Sequence, residues 1–205
     1  MEYMLTIILI VGALSLDSLS ASFAYGSGGI KIPVKSILII NVIGVVLFGT
    51  SLYLGYLLRP WLSETAVHVI SAGILIVLGS IKIFESAIKN FIRKRKIDSN
   101  VQFSLFNLNF ILNIYADPLE ADADQSRVIS SREAFFLAVA ISLDNMVVGL
   151  GAGLIMSPGP ILLIYLLINF LCLFFGVKLG NKIAKEIKYD LSWLGGVILI
   201  LIAFV

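Results

Sequence analysis

Long apolar runs separated by short polar breaks dominate the chain, and six of them are candidate spans: residues 4–25, 35–58, 67–88, 133–156, 160–180 and 190–205. About 20 apolar residues in a helix cross a bilayer. The runs lack the strict alternation of barrel strands, and an open strand cannot satisfy its backbone in lipid. The pattern therefore predicts an all-α membrane protein with six transmembrane helices. The last span is short because the sequence stops at Val205. Residues 101–115, "VQFSLFNLNFILNIY", alternate in places and read as a short strand or an amphipathic segment on the membrane surface.

Composition agrees with the pattern. Of 205 residues 59% are hydrophobic and 14% charged, against roughly a quarter charged in soluble domains. The first run follows Glu2 rather than a basic start and contains Asp17, so it does not read as a signal peptide. Cys172 is the single cysteine, reads as a small buried hydrophobe and allows no internal disulfide.

The net charge of +2 is less informative than where the charges sit. Twelve of the fifteen Lys and Arg fall in the loops after spans 1, 3 and 5, whereas the opposite side has only Arg59. Basic residues stay on the cytoplasmic side. Both termini are therefore expected outside and the long 89–132 loop in the cytoplasm. Trp61 and Trp193 fall at span ends, as interfacial anchors do. The run "RKRK" at 93–96 reads as a positive-inside anchor near anionic lipid, not a nucleic-acid site. His68 reads as interfacial.

The stretch "ALSLDSLSASFAYG" (13–26) is echoed by "AISLDNMVVGLGAG" (140–153), with Asp17 and Asp144 in equivalent places. Asn41 and Asn169 end a second, weaker match. Each copy holds three spans, so the second must enter the membrane from the opposite face. Two inverted three-helix repeats, 1–88 and 133–205, are predicted around the 89–132 loop; inverted repeats are a transporter architecture with its site near the midplane.

Both aspartates fall near the middle of their spans at 1.5 Å per residue. A carboxylate there costs a few kcal/mol and marks a functional site by default. The competing reading is a protonated Asp bonded to a neighbouring helix. Two facing carboxylates need a cation or protons. Around them lie oxygen groups, Ser15, Ser142 and Asn145, with Asn41 and Asn169 in spans 2 and 5. Ligands of oxygen alone suit hard divalent ions such as Mg²⁺, Ca²⁺ or Mn²⁺. Glu85, near the cytoplasmic end of span 3, reads either as a surface i, i+3 partner of Lys82 or as a vestibule ligand.

The paired "SLDSLSASFAYG" and "SLDNMVVGLGAG", with "LGSIKIFES" ending span 3, resemble the motifs of the MntP-type manganese efflux pump family. The middle loop resembles that of its YtaF-type sporulation branch. The resemblance implies Mn²⁺ export across a bacterial plasma membrane, with Asp17, Asp144 and Glu85 in the ion path. Where pumps of the family carry an acid in the second span, this chain offers Asn41.

The loop also holds "DADQSRVISSRE", 122–133. On a twelve-residue calcium loop, Asp122, Asp124, Ser126, the Val128 carbonyl, Ser130 and Glu133 fall at ligand positions. Position six, normally Gly, is Arg127. Two readings stand: a loop for Ca²⁺ or another divalent ion, and a Ser130–Glu133 capping box for span 4.

The expectation is thus a divalent-cation transporter, not an enzyme, with Mn²⁺ as substrate and no prosthetic group. Its partners are the lipid bilayer and the cation, not nucleic acid, with a homodimer as a candidate assembly. The alternative is a non-transporting sporulation membrane protein serving as scaffold or regulator.

Overall fold

The computed structural model describes residues 2–84 and 108–183, and within them the regular structure is helical apart from one isolated bridge, Lys31 to Val128. Five helices are long and apolar enough to cross a membrane. They are α1 (Glu2–Ser27), α2 (Val34–Leu58), α3 (Glu64–Ile83), α5 (Ser131–Ile155) and α6 (Pro158–Ile183); α4 (Leu108–Ala116) is shorter. The chain is a multi-pass membrane protein.

Local signals account for the boundaries. Gly29 takes a φ of +72° in the turn after α1, and Pro33 caps α2. Ser63 accepts from the Ala66 N–H at the head of α3, satisfying one orphan donor. Pro158 opens α6, where a missing N–H costs nothing. α3 begins three residues before the expected start and runs to Ile83; residues 85–88 of the expected third span lie outside the described residues. Residues 108–116 are helix, not strand, with Ile114 buried. Glu85, the basic run 93–96, residues 101–107, the sixth span 190–205 and Trp193 lie outside the described residues.

α1 packs along α6 and α2 along α5, while α3 leans mainly on α5. The two long pairings have glycine at their closest approach. A Cβ on Gly26 would stand 2.9 Å from the Gly180 Cα, and one on Gly55 would stand 3.1 Å from the Gly153 Cα. Any side chain at these crossings would drive the backbones away from each other. In lipid, where helices gain no hydrophobic drive to associate, such close approach supplies the packing.

Two apolar clusters fill the interior. One gathers Ile10, Leu14, Phe48, Leu52, Val148 and Ala152. The other gathers Tyr25, Ile37, Ile40, Phe136, Leu137 and Leu173. Along α1 the first cluster precedes Asp17 and the second follows it; along α5 the order around Asp144 is reversed. The aspartates therefore lie at the seam between two apolar bodies.

Candidate functional site

Asp17 and Asp144 meet. The Nζ of Lys82 forms ion pairs with Oδ2 of Asp17 and, at 2.7 Å, with Oδ2 of Asp144. The Lys82 side chain is 2% exposed and the two carboxylates 11% and 15%. One carboxylate comes from α1, the other from α5, and the ammonium from the last turn of α3. Buried charges persist only when paired and hydrogen-bonded, and here the positive partner belongs to the protein.

This corrects the surface-pair reading of Lys82. The sequence did carry a signal: Val67, Ser71, Leu75, Leu78 and Lys82 fall on one stripe of α3, and all are buried. A helix stripe at spacings of three and four faces the core, and its last member is a lysine.

The oxygen groups expected beside the aspartates divide into two sets. On α5, Asn145 donates from Nδ2 to the Tyr165 hydroxyl at 3.0 Å. Ser142 and Tyr165 face Gly44, where a Cβ would lie 3.4 Å from each of their oxygens. Tyr165 is fully buried on α6 and was missed by the sequence reading, because a tyrosine in an apolar run resembles any other core aromatic. The second set is a bridge between helices: Asn169 Nδ2 donates to Asn41 Oδ1 at 2.9 Å, and Asn41 Nδ2 donates to the Leu166 carbonyl at 3.1 Å. Ser15 Oγ, Asn145 Oδ1 and Asn169 Oδ1 are buried without a partner among the described residues. A buried acceptor without a donor costs free energy, and a hard cation would satisfy it. Glu85 lies outside the described residues.

The loop places its acids differently. Carboxylate oxygens of Asp122, Asp124 and Glu133 all lie within 4.8 Å of one another. Asp122 Oδ2 accepts from the Arg127 N–H at 3.0 Å, and Asp124 Oδ1 from the Ser126 N–H at 2.9 Å. Hydrogen bonds from Ser126 hold the Asp124 carboxyl below its ordinary range. Arg127 adopts the left-handed conformation the sixth position calls for, with φ +59° despite its Cβ. Glu133 Oε2 accepts from Ser130 N at 2.8 Å while Ser130 Oγ accepts from Glu133 N, the expected capping box. Its other oxygen accepts from Ala123 N at 3.0 Å. The Val128 carbonyl accepts from the Ser126 hydroxyl at 3.0 Å. The same stretch is stitched to the α1–α2 turn: Lys31 N donates to Arg127 O, Ile129 N to Lys31 O, and Ser36 Oγ to Ile129 O, all at 3.0 Å or less.

A bundle of apolar helices holding two carboxylates and an ammonium between two dry clusters defines an integral membrane protein with an ionisable centre inside its membrane region. The chain belongs to the family described as "Putative manganese efflux pump", whose sequence profile matches residues 86–205. That is a family of membrane transporters, not of enzymes. The chain is also 28% identical, over 97% of both lengths, to a protein of Bacillus subtilis (strain 168) described as "Probable sporulation protein YtaF". No solved structure matches it.

Proposed function

We propose that the protein exports divalent cations, with Mn²⁺ as substrate, through a site formed by Asp17 and Asp144. The observation that carries this reading is their convergence on one buried point from two different helices. Ser15 Oγ and Asn145 Oδ1 lie one or two residues from the acids and are unsatisfied among the described residues, which supports a hard, oxygen-ligated ion. The Asn41–Asn169 pair is a bridge between the two halves, contributing the free Asn169 Oδ1.

The reading takes the chain as two inverted repeats. The packing supports it: exchanging α1 with α5 and α2 with α6 turns the α1–α6 pairing into the α5–α2 pairing. The same exchange turns Gly26–Gly180 into Gly153–Gly55. Alternating access would then loosen the two apolar clusters in turn, each opening the seam to one side. The charge distribution supports external termini and a cytoplasmic loop. The 122–133 loop acts as a strap that fixes the start of α5 against the α1–α2 turn.

Mn²⁺ flux in proteoliposomes tests the reading, with Asp17→Asn and Asp144→Asn as variants. Flux in the native protein that each variant abolishes, with monodisperse helical protein retained, supports it. The alternative, a non-transporting sporulation membrane protein, draws support from the relative's description and from the protein's own ammonium on the acid pair. Absence of both Mn²⁺ and Ca²⁺ flux in well-folded native protein would contradict the transport reading and favour that alternative.

A further inference from the structure

We propose that Lys82 is a tethered counter-cation: its ammonium and the transported ion occupy the Asp17–Asp144 pair in turn, and this exchange sets both selectivity and release. The proposal rests on the transport reading above.

The geometry supplies the first argument. One Nζ contacts an oxygen of each aspartate, so the ammonium joins α1 to α5 as a bridging metal ion would. Charge supplies the second. A dication alone neutralises two carboxylates. With the ammonium retained beside it, two positive centres would sit in contact in a dry seam, where like charges repel strongly. The ammonium must therefore leave as the ion arrives.

The surroundings allow it to leave. Lys82 lies in the last turn of α3, at the end of its span. α3 leans mainly on α5 rather than being enclosed by the bundle. A four-carbon stem near a helix end can withdraw its charged tip towards water while its methylenes stay on apolar surface. An arginine would leave the pair less readily, because its guanidinium can make two parallel N–H···O bonds to a carboxylate where the ammonium makes one to each.

Selectivity follows from the exchange. A monovalent ion replaces one positive charge by another and gains nothing that the ammonium does not already give. A divalent ion gains the second charge. Release follows too: on the far side the returning ammonium displaces the ion from a site that would otherwise hold it too tightly to let it go, and a transport site must bind weakly enough to empty.

Equilibrium Mn²⁺ binding to the purified full-length protein in detergent, read from the electron paramagnetic resonance signal of free Mn²⁺, tests this. Lys82→Met keeps the stem and removes the charge. It is expected to bind Mn²⁺ about tenfold tighter or more, while Lys82→Arg binds about tenfold weaker. In proteoliposomes Lys82→Met should load but export slowly. Unchanged or weaker binding by a monodisperse, helical Lys82→Met protein would overturn the proposal and leave Lys82 a purely structural partner. Should that variant fail to fold, Lys82→Arg decides: unchanged or tighter binding overturns the proposal. Native protein that binds no Mn²⁺ would overturn the transport reading and this one together; native binding that Lys82→Met does not tighten would overturn this one alone.

Discussion

The protein gathers acids in two places and neutralises them by different means. In the membrane, Asp17 and Asp144 share a full ammonium charge. In the loop, Asp122, Asp124 and Glu133 are held by N–H groups of Arg127, Ser126, Ala123 and Ser130. Position along the helices explains the difference. Asp124 stands in solvent, and Glu133, though only 3% exposed, lies at the head of α5, where it accepts from the N–H groups of Ser130 and Ala123. Asp17 and Asp144 lie within their helices, where most backbone N–H groups are spent in the helix itself, so the compensating charge comes from a side chain. An acid cluster that uses backbone donors is built to hold a loop. One neutralised by a lysine near a helix end is what the proposed exchange requires.

The comparison can be broken most severely at the lysine. Lys82→Ala leaves two buried carboxylates without their shared partner, a class of change that costs about 3–5 kcal/mol. Thermal unfolding in detergent with a chelator present should show the loss, and added Mn²⁺ should restore more stability to this variant than to the native protein. A smaller effect is expected at the loop. Glu133→Ala removes the capping box and the acceptor for Ala123, costing about 1–2 kcal/mol. Amide exchange should quicken at Ala123 and Ser130 while the membrane helices keep their protection. The smallest change has the opposite sign. Arg127→Gly relieves a left-handed backbone at a side chain that opposes it, and should stabilise the loop by about 0.5–1 kcal/mol, read from the same exchange experiment.

Much of this was legible in the residues. Apolar runs located the five described spans to within a few residues at most ends, because lipid tolerates little else. The expected end of the third span, residue 88, lies outside the described residues. The paired S-L-D triplets singled out both aspartates, and Ser130 with Glu133 announced the cap of α5. Lys82 was not read correctly. A lysine near a span end ordinarily reaches for the interface, and its proximity to Glu85 offered a simpler partner. Only the three-dimensional crossing of α1, α3 and α5 sets its ammonium between acids that lie 65 and 62 positions away in sequence. The Asn41–Asn169 contact has the same character: each asparagine was visible as polar, but their mutual hydrogen bond depends on how α2 meets α6.

The central claim is that Asp17 and Asp144 form one cation site rather than two separate polar contacts. A double-mutant cycle on Mn²⁺ binding tests it most directly, with Asp17→Asn, Asp144→Asn and the double variant measured side by side. Residues that act as a unit are non-additive. The account predicts that each single change removes nearly all binding and that the double variant loses little more. Native-like binding after either single change, or two modest losses that simply add, would contradict it.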